Sequence, residues 1–257
     1  MLFIHRISNP FCMKYALITG ANKSIGFETA RQLLQQGYYV FLGSRDPQKG
    51  EQAVAQLHAE GLPNVEPVQL EVTDGASVSA AREAVGQKTA VLDVLINNAG
   101  LSGALPQPAA TTEVAVFKEV YDTNVFGVVQ VTQAFLDLLR QSAEPRIVNV
   151  TSGLGSLTLH TDPTWKYYPV KVAAYNSSKA ALNMYTITLA YELRETAFKV
   201  NAVDPGYTAT DFNHHSGPGT VPDAAARVVK AALLAQNGPT GQFFSDDNAP
   251  NTGISPW

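Results

Sequence analysis

Short apolar runs alternate with longer stretches whose apolar residues recur at helical spacing along almost the whole chain. The runs at 14–19 (KYALIT), 38–44 (YYVFLGS), 65–70 (VEPVQL), 92–98 (LDVLINN), 146–152 (RIVNVTS), 199–204 (KVNAVD) and 240–245 (TGQFFS) read as strands. Helical patterns fill the intervals at 24–37, 47–61, 76–86, 111–140, 172–196 and 222–236. Gly37 closes the first helix, Pro47 sits in the first turn of the second, and Pro67 weakens the third strand. Strands that alternate with helices imply parallel crossovers and a sheet covered on both faces. The pattern predicts an α/β fold: a single doubly wound Rossmann-type domain over 14–257, with a parallel sheet of about seven strands, behind an N-terminal tail at 1–13.

Composition narrows the partners. Hydrophobic residues make up 45% of 257 and charged residues 16%, which is ample for a buried core and unlike a disordered chain. A formal net charge of −4 without basic runs argues against nucleic acid or an anionic membrane as the main partner. Cys12 is the sole cysteine, so no internal disulfide is possible. Even with His5 nearby, Cys12 reads as a spare residue of the tail rather than a metal ligand. The opening residues lack a long apolar run and a small-residue cleavage site, so they do not read as a signal peptide. No segment approaches the roughly 20 apolar residues that cross a bilayer. A cytoplasmic protein is expected, with Met13 as a second candidate start.

The turn TGANKSIG (19–26) joins the first strand to the first helix. A dinucleotide pyrophosphate fits such a turn, because glycines admit a close backbone approach and the helix N-terminus offers free N–H groups. Gly20, Asn22, Lys23, Ser24, Ile25 and Gly26 are therefore candidate cofactor contacts; a purely structural glycine turn is the alternative. At the end of the second strand an NAD enzyme places a carboxylate on the adenosine ribose. Here Ser44 and Arg45 stand there instead. Arg45 can fork onto a 2′-phosphate, Ser44 can donate a hydrogen bond, and Lys23 projects from the nearby turn, so NADP(H) is the expected cofactor. Plain surface charges are the competing reading of Arg45 and Lys23.

Tyr-x-x-x-Lys occurs twice, at Tyr167/Lys171 and Tyr175/Lys179. The first spans Pro169, which lacks an amide hydrogen and disfavours helical geometry at Tyr168. The second lies in the first turns of a helical pattern free of proline and glycine, where i and i+4 point the same way. Tyr175 and Lys179 are the chemically useful pair.

Six motifs in order, TGANKSIG, NNAG (97–100), YDTNVFG around Asn124, VNVTS (148–152), YNSSK (175–179) and DPGYTAT (204–210), resemble the short-chain dehydrogenase/reductase family from about residue 14 to 245. Ser24 departs from the family's usual glycine or alanine. TGANKSIGFETARQL and LGSRDPQKGEQAVAQL look most like the NADPH-dependent carbonyl reductases. The resemblance implies reduction of a small-molecule ketone or aldehyde, reversible as an alcohol oxidation. It implies Tyr175 as proton donor, Lys179 on the nicotinamide ribose, Ser152 holding the substrate oxygen, and Asn124 binding a relay water. The ammonium of Lys179 is expected to lower the Tyr175 pKa from about 10. Asn97, Asn98, Ala99 and Gly100 would run along the adenosine ribose and pyrophosphate, with Pro205, Gly206 and Thr208 at the nicotinamide. Glu71 stands where the family has aspartate at the adenine amino group, with Val72 donating from its backbone.

Between Ser152 and Tyr175 lie 22 residues, more than the usual family spacing. Trp165, Tyr167 and Tyr168 in this insert either wall an apolar pocket or pin the insert to the body. Residues 207–220 have the composition of a mobile lid. His214 and His215 are adjacent, and neighbouring histidines seldom chelate one ion together, so no metal is expected. A non-catalytic NADP(H) sensor on the same fold is the alternative function, although neither Tyr175 nor Lys179 is lost. A sugar-nucleotide epimerase is disfavoured because only a short tail follows the last strand. Nothing names the carbonyl compound. The helices at 111–140 and 172–196 are surfaces that such proteins commonly pair, which leaves a homo-oligomer open.

Overall fold

The computed structural model describes residues 13–257; Cys12 and His5, and the reading of a spare thiol, lie outside the described residues. Seven strands form one sheet: β1 (Tyr15–Ile18), β2 (Tyr39–Ser44), β3 (Val65–Gln69), β4 (Val94–Asn97), β5 (Arg146–Val150), β6 (Lys199–Val203) and β7 (Phe243–Phe244). Their order is β3-β2-β1-β4-β5-β6-β7, with every pairing parallel. The helices are α1 (Ser24–Gln35), α2 (Pro47–Ala59), α3 (Gly75–Lys88), α4 (Val114–Tyr121), α5 (Gly127–Leu139), α6 (Ala173–Glu192) and α7 (Val221–Ala232).

Strand alternation feeds two cores. Ala16 and Ile18 of β1 join Leu33 of α1, Leu57 of α2 and Val228 of α7 on one face. Leu17 between them joins Phe41, Phe135 and Leu139 on the other. Burying each large side chain stabilises by roughly 1.5–3 kcal/mol, so both layers contribute substantially. The chain runs outward from β1 to β3 and then returns to β4 on the other side of β1. That reversal leaves a crevice at the carboxyl ends of β1 and β4, where ligands bind in doubly wound sheets.

Pro67 is tolerated because β3 is an edge strand, which needs hydrogen bonds on one side only. The last strand is shorter than the pattern 240–245 suggests. Gly241 takes a left-handed φ of +70°, and pairing with β6 begins only at Phe243. The long pattern at 111–140 is not one uniform helix either, since Asp122–Phe126 between α4 and α5 is π-helical. π-helical turns concentrate at functional sites, and this one carries Asn124.

The C-terminal residues are not a loose tail. Trp257 stacks on Phe243 with ring centroids 5.4 Å apart. The Ser156 hydroxyl donates to the Pro256 carbonyl, and the Thr158 amide donates to that of Trp257, at 2.8 and 3.0 Å. The chain end therefore buttresses the insert that follows Ser152.

Candidate active site

The β1 and β4 termini are clasped together. The Thr19 hydroxyl accepts from the amides of Asn98 and Ala99 at 3.0 and 2.9 Å. The Asn98 carboxamide donates to the carbonyls of Thr19 and Gly20 at 2.9 and 3.0 Å. Two glycines are obligatory here. Gly20 has φ +62°, and a Cβ on Gly26 would lie 2.5 Å from Asn98 Nδ2 and 2.7 Å from the Gly20 oxygen. Ser24 also has a left-handed φ, +56°, which costs roughly 1–2 kcal/mol for a residue with a Cβ and explains why glycine suits this position. The Ser24 hydroxyl does not serve as the helix N-cap, which is Lys23, without a side-chain cap bond. By contrast, Asp46, Asp74 and Thr220 cap α2, α3 and α7. The amides at the start of α1 thus remain available to an anion, and the residues present fit a dinucleotide pyrophosphate.

A cleft of about 1100 Å³ opens over this turn and gathers most of the expected contacts. Gly20, Asn22, Lys23, Ser24, Ile25, Gly26, Arg45, Glu71, Val72, Asn98, Ala99 and Gly100 line one part. Ser152, Tyr175, Lys179, Pro205, Gly206 and Thr208 line another part. Arg45 is exposed on the wall, while the Asp46 carboxylate is engaged by the Lys49 amide at 3.2 Å, away from it. Glu71 Oε1 is already occupied by the amide and hydroxyl of Thr73, at 3.2 and 3.0 Å.

Two expected cofactor contacts are not there. Ser44 is 1% exposed and donates to the Asp46 carbonyl at 2.8 Å, so it closes the turn that presents Arg45 and does not face a phosphate. Asn97, as the last residue of β4, is 2% exposed and donates to Thr132 Oγ1 and Asn149 Oδ1, at 3.0 and 2.8 Å. Strand alternation turns it into the core while Asn98 faces the cleft. Lys23 lines the cleft but pairs with Asp211 at 3.1 Å, rather than standing free for a 2′-phosphate.

Ser152 follows β5, and its hydroxyl accepts from the Leu154 amide at 3.2 Å, starting a tight turn over Gly153–Gly155. Tyr175 and Lys179 lie one turn apart on α6, with the ammonium 5.8 Å from the Tyr175 ring centroid. Lys179 is buried and donates to the Val150 carbonyl at 2.9 Å. Asn124 is fully buried behind this pair. Its Oδ1 accepts from the Leu101 amide, and its Nδ2 donates to the Leu101 carbonyl and Ser178 Oγ, at 2.9, 2.9 and 3.0 Å. Both ends of the carboxamide are thus committed to holding the 101 loop. A Cβ on Gly100 would come 3.3 Å from Asn124 Oδ1 and 3.7 Å from Lys179 Nζ, so these three residues are contiguous.

The other Tyr-x-x-x-Lys pair is not helical. Tyr167 donates to Asp247 at 2.9 Å, and Lys171 donates to the His160 carbonyl at 3.0 Å. In the insert, Trp165 is buried and donates to Asn248 Oδ1 at 2.9 Å, so it pins the segment. Tyr167 instead lines the cleft. Beside the reaction centre the Phe212 ring lies 5.7 Å from that of Tyr175. His215 pairs with Asp211 at 3.0 Å, and among the described residues no three potential ligands converge on a metal position.

Electrostatics differ from the simple expectation. Burial raises the Tyr175 pKa, the Ser152 hydroxyl opposes this, and the nearby Asp204 adds to it. Lys179 therefore does not make the phenol acidic in the free protein. Burial instead lowers Lys179 itself to about 8, against the opposing pull of Asp204. Asp204 is raised by its own burial, although Ser245 and the Gly206 and Gly153 amides hold its charged form. At neutral pH the phenol is protonated and the ammonium is mostly charged, the state needed to donate a proton.

One positioning residue escaped the sequence reading. Gln107 is 2% exposed, and its Oε1 accepts from the amides of Ala174 and Tyr175, both at 3.1 Å. Its Nε2 donates to the carbonyls of Ser102 and Ala104 at 2.7 and 3.1 Å. Gln107 thereby caps α6 and ties it to the cleft loop. No local pattern marks such a cap, because it lies 67 residues away from Ala174.

The short chain dehydrogenase family model matches residues 14–220. The chain is 34% identical to the (−)-isopiperitenone reductase of Mentha piperita, over 92% of this chain and 97% of that protein. It is 33% identical to the (+)-neomenthol dehydrogenase of Capsicum annuum, over 90% and 95%. An NADPH-bound carbonyl reductase from chicken fatty liver superposes with a TM-score of 0.82 at 30% identity, covering 96% of this chain and 100% of that one. With its glycine turn, its Ser–Tyr–Lys cleft and these relatives together, the chain belongs to the short-chain dehydrogenase family.

Proposed function

We propose that this protein reduces a ketone or aldehyde to an alcohol with NADPH, and runs in reverse as an alcohol dehydrogenase. The observation that carries the reading is that Ser152, Tyr175 and Lys179 share one cleft with an uncapped, glycine-turned helix N-terminus. The reductases among its relatives support the same direction.

Bound NADPH supplies the hydride for the carbonyl carbon. The chain does the rest. Amides at the start of α1 would hold the pyrophosphate, and Arg45 would meet the 2′-phosphate. Lys23, paired with Asp211 in this structure, lines the same cleft and would be the second cation available to that phosphate. Ser152 donates to the carbonyl oxygen and so orients it beside Tyr175, whose hydroxyl gives up its proton to that oxygen as charge develops there. Lys179 would hold the nicotinamide ribose and stabilise the phenolate left behind. Both Nδ2 hydrogens and one Oδ1 lone pair of Asn124 are committed to Leu101 and Ser178, so we assign its part in a water relay to the main chain of the π-helical turn. The insert contributes Tyr167 to the substrate wall, with Trp165 as its anchor. A cytoplasmic setting suits this reading, and among the described residues no helix is long and apolar enough to cross a membrane.

The test is a panel of carbonyl compounds assayed with NADPH and NADH in parallel. Turnover with clear NADPH preference is expected, and Arg45→Asp should erase the preference. Tight cofactor binding without turnover across the panel would instead indicate a sensor.

A further inference from the structure

The wall of the cleft beside the insert carries a carboxylate whose placement serves neither cofactor nor proton transfer. Asp247 comes from the C-terminal segment and lines the cleft beside Tyr167 and Tyr207. Its Oδ1 accepts from Lys166 Nζ at 2.7 Å and its Oδ2 from the Tyr167 hydroxyl at 2.9 Å. Each oxygen keeps a further lone pair. The two tyrosine rings meet nearly edge to face, with centroids 6.2 Å apart. The carboxylate also adjoins the nicotinamide-side turn, since a Cβ on Gly206 would lie 3.8 Å from Asp247 Cβ.

The segment bearing Asp247 is held on both sides. Ser245 donates to Asp204 at 2.7 Å, and Asn248 accepts from Trp165 at 2.9 Å. Asp246 faces Arg227 at 3.6 Å. The Asp247 carboxylate is therefore preorganised, partly shielded (its side chain is 26% exposed) and walled by aromatic rings. The charges around it set the sign of what it accepts. Asp204 and Asp211 also line the cleft; of its cations Lys23 is paired with Asp211, Arg45 and Lys179 belong to the cofactor end, and Lys166, outside the lining, is already bonded to Asp247. An anionic group arriving beside Asp247 meets like charge, whereas a donor finds a fixed acceptor.

We propose that Asp247 is a specificity-determining residue: it selects carbonyl substrates that bear a second group able to donate a hydrogen bond, a hydroxyl or an ammonium, and turns away those that bear a carboxylate. This rests on the reductase reading. The remote donor binds Asp247, while the carbonyl oxygen meets Ser152 and Tyr175. Both an acceptor bond and aromatic faces favour a cation, so the ammonium is the stronger ligand.

The experiment compares cyclohexanone with its 4-hydroxy, 4-amino and 4-carboxylate derivatives as substrates with NADPH, in wild type, Asp247→Asn and Tyr167→Phe. In wild type, kcat/KM is expected to be roughly tenfold higher for the amino ketone than for the parent, less so for the hydroxy ketone, and lower for the carboxylate. Asp247→Asn should remove most of the amine advantage and relieve the carboxylate penalty, chiefly through KM. Tyr167→Phe, which only unfastens one carboxylate oxygen, should shift the same ratios by a smaller factor. Ratios identical in wild type and Asp247→Asn overturn the proposal. If wild type consumes no NADPH with any of the four, the reductase reading is what fails. Calorimetric titration of the NADP⁺ complex with the same compounds then decides on Asp247: a preference lost in Asp247→Asn sustains its role, and equal or absent binding overturns it.

Discussion

Lys23 of the glycine turn and Asp211 of the 207–220 segment are joined by a 3.1 Å ion pair across the mouth of the cofactor cleft. The contact links the glycine turn to the segment that sets Phe212 beside Tyr175. Lys23 also draws the Asp211 carboxyl below its ordinary range, with His215 assisting.

The pair is exposed, so it contributes little to folding, but it competes with an anionic ligand. Asp211→Asn frees Lys23 and removes a negative charge from the cleft. NADPH should then bind roughly two- to fivefold more tightly at low ionic strength, and the difference should vanish near 0.5 M salt. Fluorescence titration checks this; weaker binding, or a gain indifferent to salt, contradicts it.

Gln107 offers a sharper separation of positioning from binding. Gln107→Leu leaves the amides of Ala174 and Tyr175 without their acceptor and lets the first turn of α6 shift. A displacement of about an ångström costs on the order of a hundredfold in rate, so kcat should fall roughly ten- to hundredfold. NADPH affinity should change less than about threefold. Gln107→Glu keeps the acceptor and should recover part of the loss. Equal losses in kcat for both variants would mean that the cap does not position Tyr175.

The pH dependence follows from Lys179. Its pKa is lowered to about 8, so the ammonium is present below that value and lost above it. Tyr175 is raised, so its proton persists well beyond neutrality. Reductive kcat/KM should therefore hold at neutral pH and decline as pH rises through about 8. Lys179→Arg, which stays charged, should move the decline to higher pH at lower overall rate. A profile from pH 6 to 10 tests this, and a wild-type plateau extending past pH 9 would contradict it.

The sheet and most of the cleft were legible in the sequence for physical reasons. Strand runs buried on both faces read as continuous apolar stretches, and the crevice falls where the chain reverses direction between β1 and β4. Pro169 separated the two Tyr-Lys pairs through backbone chemistry alone. Side-chain direction at strand ends was less legible. Asn97 and Ser44 each sit within a recognisable motif, yet pleat and turn geometry point them away from the cleft. The raised Tyr175 pKa was not legible, because it follows from burial, which spacing does not reveal. Long-range contacts were invisible: Gln107 on α6, Trp257 on Phe243, and Asp247 against Tyr167 all join residues that no local pattern couples.

The central claim is that the Tyr175 hydroxyl delivers the proton. Tyr175→Phe removes that hydroxyl and keeps the ring beside Phe212. Single-turnover oxidation of NADPH by the variant, measured with a carbonyl compound that wild type reduces, should be slower by at least roughly a hundredfold while NADPH still binds. A rate within a few fold of wild type would contradict the account.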